Sequence, residues 1–132
     1  MLRTAVVFLA LAAPAGAAEF ACPRGAADFL TPIKWSAEVL DVRTVEVRLG
    51  VQNPTDKLIQ LVDAWVYFID GLDREIGSYA LSPGFQIAAS GGNIDRQVVD
   101  PSFDATLATL PSTSVTICTE AVLFDDGTKQ TF

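Results

Sequence analysis

Period-two alternation of apolar and polar positions dominates the chain. From position 44 to 52 the sequence TVEVRLGVQ places Val45, Val47, Leu49 and Val51 on one parity and Thr44, Glu46, Arg48 and Gln52 on the other. That spacing predicts a strand with one buried and one wetted face. Asn53-Pro54-Thr55-Asp56 follows with turn chemistry. Upstream, positions 34–42 carry a weaker version, with Trp35, Ala37 and Val39 on one side. Downstream, positions 58–70 read LIQLVDAWVYFID. Val62, Ala64, Val66 and Phe68 form one uninterrupted apolar face, expected to point into a core. Leu61, Trp65, Tyr67 and Ile69 form the opposite face, interrupted by Asp63, and must then point outward.

The rest of the pattern continues in short segments. Positions 74–81 predict a returning strand anchored by Ile76 and Tyr79, and positions 85–89 and 94–99 predict two more between turns at Pro83-Gly84 and Gly91-Gly92-Asn93. Phe103, Leu107 and Leu110, with Ser102 as N-cap, predict a short helical turn near 102–110. Positions 112–124 predict the last long strand. Val115, Ile117, Ala121 and Leu123 share one parity there, and Cys118, Val122 and Phe124 share the other. Asp125-Asp126-Gly127 signals a hairpin into a short edge strand at 128–132. Seven to eight short strands with one helical turn predict an all-β fold. An immunoglobulin-like antiparallel β-sandwich is expected, with a small closed barrel as the alternative.

The run from Val45 to Gly77, followed by Leu81-Ser82-Pro83-Gly84, resembles the secreted immunoglobulin-like domains of the FxLYD type. It is similar, more distantly, to the water-stress domains of late-embryogenesis-abundant proteins. Val45, Val47, Val51 and Asn53 match the valine-rich strand that ends in asparagine, and Phe68-Ile69-Asp70 and Pro83-Gly84 match later features. Val66-x-Phe68-Ile69-Asp70 stands where the family carries Phe-x-Leu-Tyr-Asp. The resemblance implies an immunoglobulin-like fold and offers no catalytic residues to carry over.

The N-terminal segment breaks the pattern. Arg3 precedes an apolar run over positions 5–13, Pro14 ends it, and Ala15, Gly16, Ala17 and Ala18 follow. This is the layout of a secretory signal peptide, with cleavage expected after Ala18. The run is too short for a spanning helix, which needs about 20 residues. Glu19, Phe20 and Ala21 before Cys22 do not form a lipoprotein acylation site. The expected product is periplasmic or secreted, without membrane insertion after cleavage. In an oxidising compartment Cys22 and Cys118 have one intramolecular pairing available, a disulfide. The expected organisation is a leader at 1–18, an N-terminal arm at 19–33 tethered by that disulfide, and a sandwich at 34–132.

Composition narrows the chemistry. The 132 residues hold no histidine, which excludes a Ser-His-Asp triad, a Cys-His dyad and any His-ligated metal site built from this chain. Nine basic against 16 acidic residues give a net charge of −7, which disfavours a nucleic-acid partner held through phosphates. Asp70, Asp73 and Glu75, and Asp125 with Asp126, lack the spacing of a calcium loop and are read as turn formers. No GxSxG or SxxK stands among the serines. No enzyme activity, cofactor or metal is expected. Leu61, Trp65, Tyr67 and Ile69 are the candidate interaction surface, because Trp and Tyr are enriched at binding hot spots. The arm is the other claimant to that face: drawn across the sheet by Cys22, it is expected to cover Trp65 and leave Tyr67 partly accessible. The function expected is an exported accessory or protein-interaction module, monomeric alone, with an unidentified protein partner. A sugar- or small-ligand-binding domain and an uncharacterised hydrolase are the alternatives.

Overall fold

The alternating valines form β3 (Thr44–Gln52), whose inward residues Val45, Val47, Leu49 and Val51 are at most 5 % exposed. The computed structural model describes residues 20–99, 105–108 and 110–132. The leader, its cleavage site and the proposed N-cap Ser102 lie outside the described residues. The described elements are β1 (Ala27–Asp28), β2 (Thr31–Asp41), β3, β4 (Ile59–Ile69), β5 (Glu75–Ala80), β6 (Gly92–Val99), α1 (Ala105–Ala108), β7 (Ser114–Phe124) and β8 (Lys129–Thr131).

All strand pairings are antiparallel and fall into two sheets. One sheet has the order β2-β3-β6. The other has the order β1-β7-β4-β5, with β8 also pairing β7. β4 holds one edge of β7 along its length, so β1 and β8 lie end to end along the other. The hairpin β2–β3 lies in the three-stranded sheet with β6, and the hairpins β4–β5 and β7–β8 lie in the five-stranded sheet, an immunoglobulin-like arrangement.

The core lies between the inner faces. Val62, Ala64, Val66 and Phe68 of β4 are at most 3 % exposed, and Ile117 opposes Val66 across the β4–β7 ladder. Burying each of the larger side chains contributes about 1.5–3 kcal/mol. Trp35 closes one end: its ring meets Phe68 edge-on at 6.3 Å, and its Nε1 donates to the Ala108 carbonyl of α1 at 3.0 Å. Asn53 ends β3 for a specific reason. It is fully buried, its Nδ2 donates to the Lys57, Ile87 and Ala88 carbonyls, and its Oδ1 accepts from the Thr55 N–H and hydroxyl. One side chain thereby satisfies the backbone of two connections that would otherwise be buried unpaired.

Three expectations need correction. The arm and the sandwich do not divide at 33/34: β2 begins at Thr31, β1 pairs with β7, and Leu30 is a fully buried core residue. Positions 85–89 form no strand; Ile87 makes a single bridge to Ile59. The parity of β7 switches within the strand. Asp63 pairs Ala121 while Ala64 pairs Thr119, leaving Glu120 as an extra bulged residue. Beyond it Val122 and Phe124 point inward, at 1 % and 5 % exposure, and Ala121 and Leu123 fall on the outer face.

Candidate functional site

The outer face of the five-stranded sheet is built on β4 and β7. The register sets Trp65 opposite Cys118, Tyr67 opposite Thr116 and Leu61 opposite Leu123. On the far side of β4, Ala80 and Ser78 of β5 oppose Trp65 and Tyr67. Their small side chains leave the two aromatic rings standing above their neighbours.

Cys22 and Cys118 form the expected disulfide, with sulfurs 2.13 Å apart and Cα atoms 5.4 Å apart. Cys118 points outward, so the bond draws the arm onto the Trp65 face. The arm then settles on the neighbouring aromatic. Phe20 packs against Tyr67 with ring centroids 4.8 Å apart. Tyr67 is half-buried, whereas Trp65 remains 43 % and Leu61 47 % exposed. The coverage is therefore the reverse of the expected one. Phe20 stands two positions before Cys22, which carries the ring one row along the sheet, from Trp65–Cys118 to Tyr67–Thr116.

Ile69 is not part of the exposed surface. It is 2 % exposed and lies at a register shift between β4 and β5, in a cleft it shares with Phe20, Ala21 and Cys22 of the arm. Trp65 is not among the residues lining this cleft, which has a volume of about 570 Å³.

Electrostatically the face is acidic. Asp28 opposes Cys118 from β1, and Asp63 lies between Leu61 and Trp65 on β4. The Tyr67 hydroxyl is pushed above its ordinary range, first by burial and then by the Glu75 and Glu120 carboxylates. Asp70 works within its own loop, and Asp126 joins its turn to the β3–β4 connection. Asp70 Oδ1 accepts from the Leu72 and Arg74 N–H groups at 2.8 and 2.9 Å, and its Oδ2 accepts from Arg74 Nε at 3.0 Å. The Arg74 N–H is the largest cause holding its carboxyl low. Asp126 accepts from the Thr128 hydroxyl and N–H and pairs with Lys57 Nζ at 3.0 Å, which brings it down to about 2. Among the described residues no three His, Cys, Asp or Glu converge in a metal-binding group.

The sequence reading missed a second feature, on the outer face of the three-stranded sheet. Lys34, Gly50 and Ile94 form one row across β2, β3 and β6, and Ser36, Arg48 and Arg96 form the next. The absent side chain at Gly50 opens a groove. The signal was present in TVEVRLGVQ, where a glycine interrupts the strand and has no turn to make.

Comparison with protein-family models, with curated proteins and with solved structures finds no match to this chain. The fold defines an immunoglobulin-like β-sandwich carrying one disulfide, which suits an oxidising compartment. No helix among the described residues is long and apolar enough to cross a membrane.

Proposed function

We propose that the protein is an exported, non-catalytic interaction module that docks a protein partner on the outer face of the five-stranded sheet. The observation that carries this reading is the exposure of Leu61 and Trp65, 47 % and 43 %, on a strand whose alternate residues are fully committed to the core. The outward side chains are free to serve a partner because the inward ones hold the fold. Trp65 supplies a rigid amphipathic anchor of the kind that dominates binding energy. The disulfide and Phe20 keep the sheet beside it preformed, which lowers the ordering cost of association. Export is part of the same proposal, supported by the leader-like sequence and the disulfide. The small-ligand alternative would place its ligand under the arm, in the cleft lined by Phe20 and Ile69.

The test is Trp65→Ala in the exported protein, read by cross-linking to partners and by melting temperature. Loss of cross-linked product with a small fall in melting temperature is expected. Retention of the product would place the docking surface elsewhere. N-terminal sequencing of the exported protein is expected to begin at Glu19; a retained leader would contradict export with cleavage.

A further inference from the structure

β6 is built the wrong way round for burial alone. Its Asp95 and Gln97 point inward, opposite Leu49 and Val47 of β3, while Ile94 and Val98 point outward at 59 % and 60 % exposure. A slip of one residue would bury both apolar side chains, while turning Arg96 inward and Val99 outward. The actual register is held by Asp95, which accepts from the Ser82 hydroxyl at 3.1 Å and from Gln97 Nε2 at 3.0 Å. Gln97 also donates to the Ala80 carbonyl at 2.7 Å. The consequence is on the other side of the sheet, where Ile94 and Arg96 come to stand beside Gly50 and Arg48.

The groove there has a volume of about 870 Å³ and is open along the sheet. Ile33, 57 % exposed, and Ile94 line it, and Gly50 lies in the row between Lys34 and Ile94. A Cβ placed on Gly50 would meet the Lys34 carbonyl oxygen at 3.4 Å, the Lys34 nitrogen at 3.6 Å and Ile33 Cβ at 3.7 Å. Those are ordinary contacts, and Gly50 is not in the left-handed region. Neither packing nor backbone geometry requires glycine at this position, although glycine weakens a strand interior.

The charges point the same way. Arg48 and Arg96 stand directly opposite each other, an arrangement of like charges that destabilises a sheet. Glu46 takes Arg48 at 2.6 Å, and Glu38 adds to its field from β2. Among the described residues neither Arg96 nor Lys34 has an ion-pair partner. In a chain of net charge −7, three of the nine basic residues line this one groove.

We propose that the groove is a second docking site, for an acidic extended segment of a partner protein. The segment seats an apolar side chain over Gly50 between Ile33 and Ile94 and sets its carboxylates on Lys34 and Arg96. The openness of the groove suits a peptide, since small-molecule sites enclose most of their ligand. The site is on the opposite side of the sandwich from Trp65 and does not rest on the reading of that face.

The probe is an acetylated, amidated heptapeptide alternating aspartate with leucine. Its binding is followed by isothermal titration calorimetry with the otherwise intact mature protein. Saturable binding is expected, weakened at least tenfold by Arg96→Glu and by raising salt from about 50 to about 500 mM, which shortens the screening length severalfold. Gly50→Leu is expected to abolish binding with the far-ultraviolet spectrum unchanged. The asparagine analogue of the peptide is expected not to bind. No binding by the intact protein at millimolar peptide would overturn the proposal. So would equal binding to Arg96→Glu and Gly50→Leu. Two other results would also overturn it: binding to phosphatidylglycerol vesicles in place of the peptide, or salt-sensitive self-association filling the groove with a second copy.

Discussion

The two outer faces of the sandwich are opposites. The face carrying Trp65 is aromatic, surrounded by Asp28, Asp63, Glu75 and Glu120, and clamped by a disulfide with Phe20 packed on Tyr67. The face carrying Gly50 is aliphatic and lined by Lys34, Arg48 and Arg96. On the first, β4 sends its apolar residues both ways, and the inward set alone suffices for the core. On the second, β6 sends Asp95 and Gln97 inward and Ile94 and Val98 out. Exposed apolar surface therefore arises here by two routes. One is a surplus of hydrophobic positions on a central strand. The other is a register that spends hydrogen bonds inside to keep isoleucine and valine outside.

Breaking the clamp is the largest perturbation available to this comparison. Cys22 and Cys118 are 96 residues apart, and opening so long a loop by the paired alanine substitution should cost about 4–5 kcal/mol on chain-entropy grounds. Chemical denaturation measures that loss, and the account also expects Tyr67 to become more accessible while Trp35 does not. The two tryptophans sharpen the contrast. Trp35→Ala removes the ring that meets Phe68 and the donor to Ala108, and should cost about 3–5 kcal/mol. Trp65→Ala removes a side chain that is 43 % exposed and should cost about 1–2 kcal/mol. Equal losses in the melts of the two variants would erase the distinction between an inner and an outer tryptophan.

Much of this was legible in the sequence because the strands that build the core have unbroken alternation. β3 and the inward face of β4 fall where their parity puts them. The disulfide was legible because two cysteines leave one intramolecular pairing. What could not be read were the places where a tertiary contact overrides local pattern. The bulge at Glu120 reverses the sides of Val122 and Leu123, and nothing in STSVTICTEAVLF announces it. The inward Asp95 has meaning only once Ser82 and Gln97 are beside it. The arm's landing point depends on the exchange between rows Trp65–Cys118 and Tyr67–Thr116, which parity alone does not decide. The Gly50 groove escaped notice because its charges come from three strands that only the sheet brings together.

The smallest expected effect concerns neither face and serves as a control on both. Asp126 titrates at about 2, its proton opposed first by the Thr128 hydroxyl, then by the Thr128 N–H and Lys57. Its folded value is depressed, so its contribution to stability is present above the ordinary carboxylate range and is lost as pH falls toward about 2. Thr128→Val should return the carboxyl toward its ordinary value in an NMR titration, leaving the environments of Trp65 and Trp35 unchanged. An unmoved titration would show that the hydroxyl does not hold the charge.

The central claim is that the Trp65 face is a docking surface and not merely uncovered sheet. The most direct measurement replaces Trp65 with a photo-crosslinking phenylalanine analogue in the exported protein, with the same replacement at the exposed turn residue Asp56 as the comparison. The account predicts a discrete crosslinked product from position 65 and none from position 56. No product from position 65, or the same product from both positions, would contradict it.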